Sequence, residues 1–176
     1  SAQKKQNIWT EIGKCFKKSF IFLIEEKNAL KLMFANSFVG ALDVLLVFFL
    51  QAKLPLSGMP SWALGFPLFF IQLGGIFGAK LVFMTKNIHY KKLFFVTTTL
   101  VILGILLEHS GFCLIMAFGG LLSVFADDIL QIRTNCILQD MFSSQQRATL
   151  VSIECFTFSV LMIVLSPLAG LFFEIW

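Results

Sequence analysis

The chain has 176 residues, of which 57% are hydrophobic and only 14% charged, with 22 phenylalanines and a formal net charge of +4. Soluble domains run near ~45–50% apolar and ~25% charged, so a water-soluble core of this size cannot absorb so much apolar surface, and the solvent is lipid. The positive charge does not mark a nucleic-acid binder, because the basic residues stand between apolar runs, as membrane-topology determinants do, and form no basic patch.

Residues 1–27 precede the first span, and because residues 1–19 are polar and basic no signal-peptide pattern is present. Within them, NIWTEIGKCFKKSFIFLI sets Trp9, Ile12, Phe16, Phe20 and Leu23 at helical spacing, with Lys14, Lys17 and Lys18 off that stripe. This predicts a cytoplasmic linker with an amphipathic helix lying on the membrane surface; a helix docked on a partner is the alternative. Residues 28–176 then form a helix bundle with spans at about 29–50, 63–84, 93–107, 112–130 and 148–173. LPLSGMPSW breaks the first span from the second through Pro55, Gly58 and Pro60. TKNIHYKK, EHSG and SSQQR separate the others. The fourth span continues as a polar helix towards Met141. Pro167 is expected to kink the fifth helix or end its regular part.

These spans alternate sides, so the basic residues test them. Lys4, Lys5, Lys14, Lys17, Lys18, Lys27, Lys31, Lys80, Lys86, Lys91, Lys92, Arg133 and Arg147 fall on one side, and only Lys53 on the other. That is 13 of the 14 basic residues. The rule places that side, and the N-terminus, in the cytoplasm, in the inner (plasma) membrane of a cell.

Gly74 and Gly78, four apart, and Gly119 with Gly120 are small residues of the kind that lets helix backbones approach in lipid. Asp43 lies deep in the first span. It shares a helix face with Asn36 and Gly40. A charge at the bilayer centre costs about 2.5–3.5 kcal/mol on insertion scales, so this face meets a cavity or a partner. It is either a substrate or proton pathway or an interhelical hydrogen bond. Asp127 and Asp128 are read in the inner half of the fourth span, with Arg133 in the same inner-end network. Asp127 is a third pathway candidate, and Asp128 and Arg133 are structural or gating ones. Glu154 is expected to meet Arg133 or a backbone group of the fourth helix. Arg147 is expected at lipid phosphate or at the last carbonyls of that helix. His109, beside Glu108 in the turn, reads as solvated.

Cys15, Cys113, Cys136 and Cys155 match no zinc or redox spacing and read as small buried hydrophobes. No metal site, cofactor motif, nucleophile elbow or phosphate loop is present. Paired-aspartate enzyme chemistry needs two carboxylates at one depth, and the expected depths of Asp43 and Asp127 differ.

The run LQDMFSSQQRATLVSIECFTFS resembles the loop between the tenth and eleventh helices of bacterial drug-efflux-like transporters of the major facilitator superfamily. Its positions here are Arg147, Ala148, Thr149 and Ser152. IWTEIGKCFKKSFIFLI looks like the linker before the seventh helix, and VFFLQAKLPLSGMPSWALG like the end of the seventh helix, the outer loop and the start of the eighth. The family's loop after the eighth helix often carries an acidic residue. GAKLVFMTKNIHYKK has Gly78 and the basic residues but lacks that acid, which puts its gating contact in doubt.

The resemblance implies helices seven to eleven of twelve, an all-α polytopic bundle within the C-terminal six-helix half. It implies a secondary transporter moving a small molecule by alternating access, with proton coupling as an option. Ser1 in place of Met and Trp176 inside an apolar run read as cut ends. The implied partners are the bilayer, the N-terminal half and a twelfth helix. The alternative is a non-transporting assembly or anchoring subunit.

The charge asymmetry sets a topology test. In intact cells, with the native cysteines replaced by alanine, an impermeant maleimide should label Ser57→Cys and leave Asn87→Cys unlabelled. The reverse pattern overturns the orientation.

Overall fold

The computed structural model describes residues 26–175, the side chains of Gln145 and Ile175 excepted, together with Gly13, Lys14, Lys17 and Ile21. The predicted amphipathic stripe of Trp9, Ile12, Phe16, Phe20 and Leu23 lies outside the described residues. All regular structure among the described residues is helical. It comprises α1 (Lys27–Leu56), α2 (Gly65–Leu81), α3 (Tyr90–Glu108), α4 (Cys113–Met141) and α5 (Ser144–Ile175). Short 3-10 turns, Ser61–Ala63 and Val82–Thr85, flank α2. Among the described residues five helical stretches are long and apolar enough to cross a membrane, α2 together with its flanking 3-10 turns (Ser61–Thr85) being one, and the shortest has 19 residues.

The helices overrun the expected spans where polar residues or prolines were read as boundaries. α1 continues through Lys53 and Pro55 to Leu56. A proline in the last turn removes one helical N–H and leaves the rest of the ladder intact. The chain then turns at Ser57, whose hydroxyl donates to the Leu54 carbonyl at 2.8 Å, and at Gly58, whose φ of +94° suits a residue without Cβ. Pro167 does not end α5, which runs on to Ile175. α4 keeps its helix to Met141, as the polar extension was expected to do. α5 starts after Ser143, whose carbonyl accepts from the backbone N–H of Gln146 and Arg147.

α4 is the centre of the bundle. It packs against α1, α2 and α3, while α5 packs on α1. In the most apolar stretch of α4, 56% of the residues are buried, against 0% in that of α5. Water supplies no hydrophobic drive between helices in lipid, so they associate through close packing and hydrogen bonds. Glycine makes that packing possible here. A Cβ on Gly78 would lie 2.7 Å from the Phe125 carbonyl oxygen, and one on Gly74 would meet the carbonyl of Leu121. α2 therefore rests on the backbone of α4. A second seam joins α3 to α4, where a Cβ on Gly119 would lie 2.6 Å from the Gly104 carbonyl oxygen. Gly120 admits the ends of Leu50 from α1 and Ile71 from α2. The sequence reading did not single out Gly104.

Three apolar clusters fill the remaining contacts. Ala29, Met33, Leu138, Phe142, Leu150 and Ile153 join α1, α4 and α5 at the basic end. Val82, Leu93 and Ile129 lie at the same end of the α2–α3–α4 side. Leu50, Leu54, Ile71, Met116 and Val124 fill the far end. Large apolar side chains cover the outside, among them Phe66, Phe95, Leu114 and Ile163, each more than 70% exposed, as a lipid-facing surface requires.

The α2–α4 seam can be tested by adding one methyl group. Gly74→Ala should lower stability by about 1–3 kcal/mol, the usual cost of overpacking, read as earlier unfolding in mixed denaturing micelles. Gly170→Ala should not, because nothing lies within 4 Å of its added Cβ. Equal behaviour of the two variants removes the seam as a constraint.

Candidate functional site: a polar groove and a file of carboxyl groups

The face Asn36, Gly40 and Asp43 of α1 turns into the protein. Asn36 is 4% exposed. Its amide nitrogen donates to Glu154 Oε1 of α5 at 2.7 Å and to Asn135 Oδ1 of α4 at 3.3 Å. A side-chain amide has two N–H donors, so one residue joins three helices. These residues line a groove of about 370 Å³ with Ser37, Gln131, Gln139 and Ser159, and with Cys155 and Phe158 as apolar wall. Its polar lining is one carboxylate, four amides and two hydroxyls. A larger cleft of about 530 Å³ opens at the far end between α1 and α5. That cleft is mostly apolar, floored where the Phe49 and Phe173 rings stack with centroids 4.3 Å apart. The smaller groove carries the hydrogen-bonding chemistry and is the better candidate site.

Glu154 does not meet Arg133; its partner is Asn36 of α1. Arg133 instead donates from Nη2 to the Lys86 carbonyl at 2.9 Å, pinning the loop between α2 and α3. Nor does it pair with the aspartates of its own helix. Five residues separate it from Asp128, which turns it about 140° away around the axis. Arg147 donates from Nε to the Gln139 carbonyl at 3.1 Å. That carbonyl belongs to the last turn of α4, where carbonyls lack helical donors. Of the two partners expected for Arg147, this one is present.

Asp127 and Asp128 stand at the middle of their helix and not towards one end of it. Because α4 extends to Met141, Asp127 is its middle residue. Asp43 is similarly central in α1. Asp127 is 6% exposed, and Oδ1 of Asp43 is buried without a hydrogen-bond partner. Asn36 meets Asn135 and Gly40 meets Gln131 across the same two helices, a register that sets Asp43 level with Asp127 and Asp128, so the expected difference in depth does not hold. Asp128 turns the other way, its carboxyl closing on Gly75 of α2.

One acidic residue escaped the sequence reading. Glu108, read only as part of the turn EHSG, is 1% exposed and hangs into the α3–α4 seam against Gly119. It also interacts electrostatically with Asp43. The available signal was periodicity, since Thr97, Gly104 and Glu108 recur at offsets of seven and four and form one buried face of α3. The cysteines differ from expectation as well. Cys113 is half-buried, and Cys136 and Cys155 are exposed, Cys155 on the open groove; Cys15 lies outside the described residues. Among the described residues no group of three or more His, Cys, Asp or Glu is arranged to hold a metal ion.

The Asn36–Glu154 contact should show as coupling in a double-mutant cycle. Asn36→Leu and Glu154→Gln, alone and together, should give about 0.6–2 kcal/mol of interaction energy, the range of interhelical hydrogen bonds in membranes. Additive effects on unfolding would mean that the bond does not hold the helices.

Comparison of the chain with protein-family models, with curated proteins and with solved structures gave no match.

Proposed function

We propose that this chain is part of a secondary transporter that moves a small molecule by alternating access. The observation that carries the reading is the polar groove. It is cut by α1, α4 and α5 into a bundle whose outer surface is apolar, and it holds Asn36, Asn135 and Glu154 in one hydrogen-bonded set. Polar and ionisable groups at membrane depth are costly and mark substrate and ion paths. The groove's volume lies within the ~300–1,000 Å³ of small-molecule sites. Asp43 and Asp127 supply the ionisable groups between the groove and the far end.

The orientation follows from the basic end, which carries Lys80, Lys86, Lys91, Lys92, Arg133 and Arg147. By the positive-inside rule that end, and the groove nearest it, face the cytoplasm across a plasma membrane. The resemblance to the major facilitator superfamily adds the rest of the machine: an opposing N-terminal half and a twelfth helix, between which a substrate site lies near the midplane. The exposed apolar flank of α5 is a surface on which such a helix packs. We read the chain as non-catalytic, because the groove is lined by neither Asp43 nor Asp127.

Cys155 lines the groove and reports access directly. With the other cysteines replaced by alanine, an impermeant maleimide should react with it from the cytoplasmic face of inverted vesicles. It should also react, more slowly, from outside intact cells, because a cycling transporter opens its site to each side in turn. Asp43→Asn should suppress the external reaction while membrane insertion is kept. Reaction from one face only in the complete protein of which this chain is part overturns alternating access and leaves an anchoring subunit.

A further inference from the structure

Glu108 closes α3 at the far end of the bundle, yet its side chain is 1% exposed and neither carboxyl oxygen has a hydrogen-bond partner. Ionised carboxylates are not buried bare, because desolvation is prohibitive unless a counter-charge, a proton or a cation accompanies them. Asp43 of α1 acts on Glu108, and Asp127 and Asp128 of α4 complete the set around Asp43. Lys53 lies at the end of α1 over the Phe49 ring, and His109 follows Glu108 at the surface. α2 faces α4 here with Gly74, Gly75 and Gly78.

A second observation stands beside the acids. Ser123 is 1% exposed, and its hydroxyl has no partner. It sits in the same α3–α4 seam, closing on Gly104. On α4 it is one turn from Gly119, which packs on Glu108, and one turn from Asp127. Four groups with unfilled hydrogen-bonding capacity or crowded charge therefore stand in file: the Glu108 carboxyl, the Ser123 hydroxyl, and the Asp127 and Asp43 carboxyls. The seam's backbones touch at Gly104 and Gly119, which leaves no room for a hydrated ion. A proton is the ligand that fits.

We propose that Glu108, Ser123 and the Asp127–Asp43 pair form a proton-binding site in the α3–α4 seam, distinct from the amide-lined groove, with Glu108 as its outermost carboxyl. Binding forms one O–H bond on a carboxylate and breaks one on hydronium, leaving water, so one negative charge of the site is neutralised. The use of this proton as a driving ion rests on the transport reading; the site itself does not.

The test is chemical labelling of the full chain in liposomes. Dicyclohexylcarbodiimide partitions into apolar surroundings and adds to a protonated carboxyl to give a stable N-acylurea. Peptide mass spectrometry should find that adduct on Glu108 at neutral pH, decreasing at least tenfold as the bath is made strongly alkaline. A water-soluble carbodiimide should give none there. Infrared spectra should show a carbonyl band of protonated carboxyl that Glu108→Gln diminishes and Ser159→Ala does not. Absence of the Glu108 adduct, equal labelling by the water-soluble reagent, or an unchanged band in Glu108→Gln each overturns the proposal. Access to Cys155, measured in the same Glu108→Gln chain, reads the transport proposal separately, so either can fail without the other.

Discussion

Two helices lie against the backbone of α4 at glycine, and most of the structure depends on that contact. Lipid offers helices no hydrophobic reason to associate, so the short range of dispersion and hydrogen bonding decides whether they stay together. Gly74 and Gly78 on one side, and Gly104 with Gly119 on the other, bring α2 and α3 close enough for both. α4 is thereby enclosed on three sides. It is the one helix whose polar residues can avoid lipid along most of its length, and it is the helix on which Ser123, Asp127, Asp128, Gln131 and Asn135 occur. The enclosure and the polarity explain each other: these residues would be expelled from an outer helix, and an apolar helix would gain nothing from so close a fit.

The existence and order of the spans were legible because hydropathy reports the cost of putting a residue in hydrocarbon, and that cost dominates. Their ends were less legible, because helix ends follow hydrogen bonding. Pro55 reads as a stop and Pro167 as a kink or an end, yet each removes one donor from a helix otherwise held by its neighbours. Hydropathy ends the fourth span at Leu130, close to Asp127, whereas the helix continues to Met141 and has Asp127 at its own midpoint.

Within the site, what lay along one helix could be read and what lay between helices could not. Asn36, Gly40 and Asp43 share a face by spacing alone. That Asn36 would answer Glu154, 118 residues away, needs the azimuth of α5 about α1, which no local pattern encodes. Arg133 attracted the wrong expectation because opposite charge was weighed without the helical angle. Glu108 was lost because EHSG looks like a turn, and a turn was taken to be wet. The side chain of a helical residue leans back over the preceding turn, so a glutamate at the last position of a helix reaches inward, here onto Gly119.

The polar residues of α4 also explain how one helix serves three neighbours. Gly119, Ser123, Asp127, Gln131, Asn135 and Gln139 follow at intervals of four. Four residues advance about 40° beyond a full turn, so the row winds about 200° around the helix over its length. Its contacts follow that rotation. Gly119 and Ser123 meet Gly104 and Glu108 of α3, and Gln131 meets Gly40 of α1. Asn135 meets Asn36 of α1 and lines, with Gln139, the groove that Glu154 of α5 closes. A row at 3.6-residue spacing would have stayed on a single interface. The interval of four carries hydrogen-bonding groups from the α3 seam, past the mid-helix aspartates, to the groove at the basic end. The same arithmetic explains why Asp128, one residue out of the row, faces α2 and belongs to neither the groove nor the file.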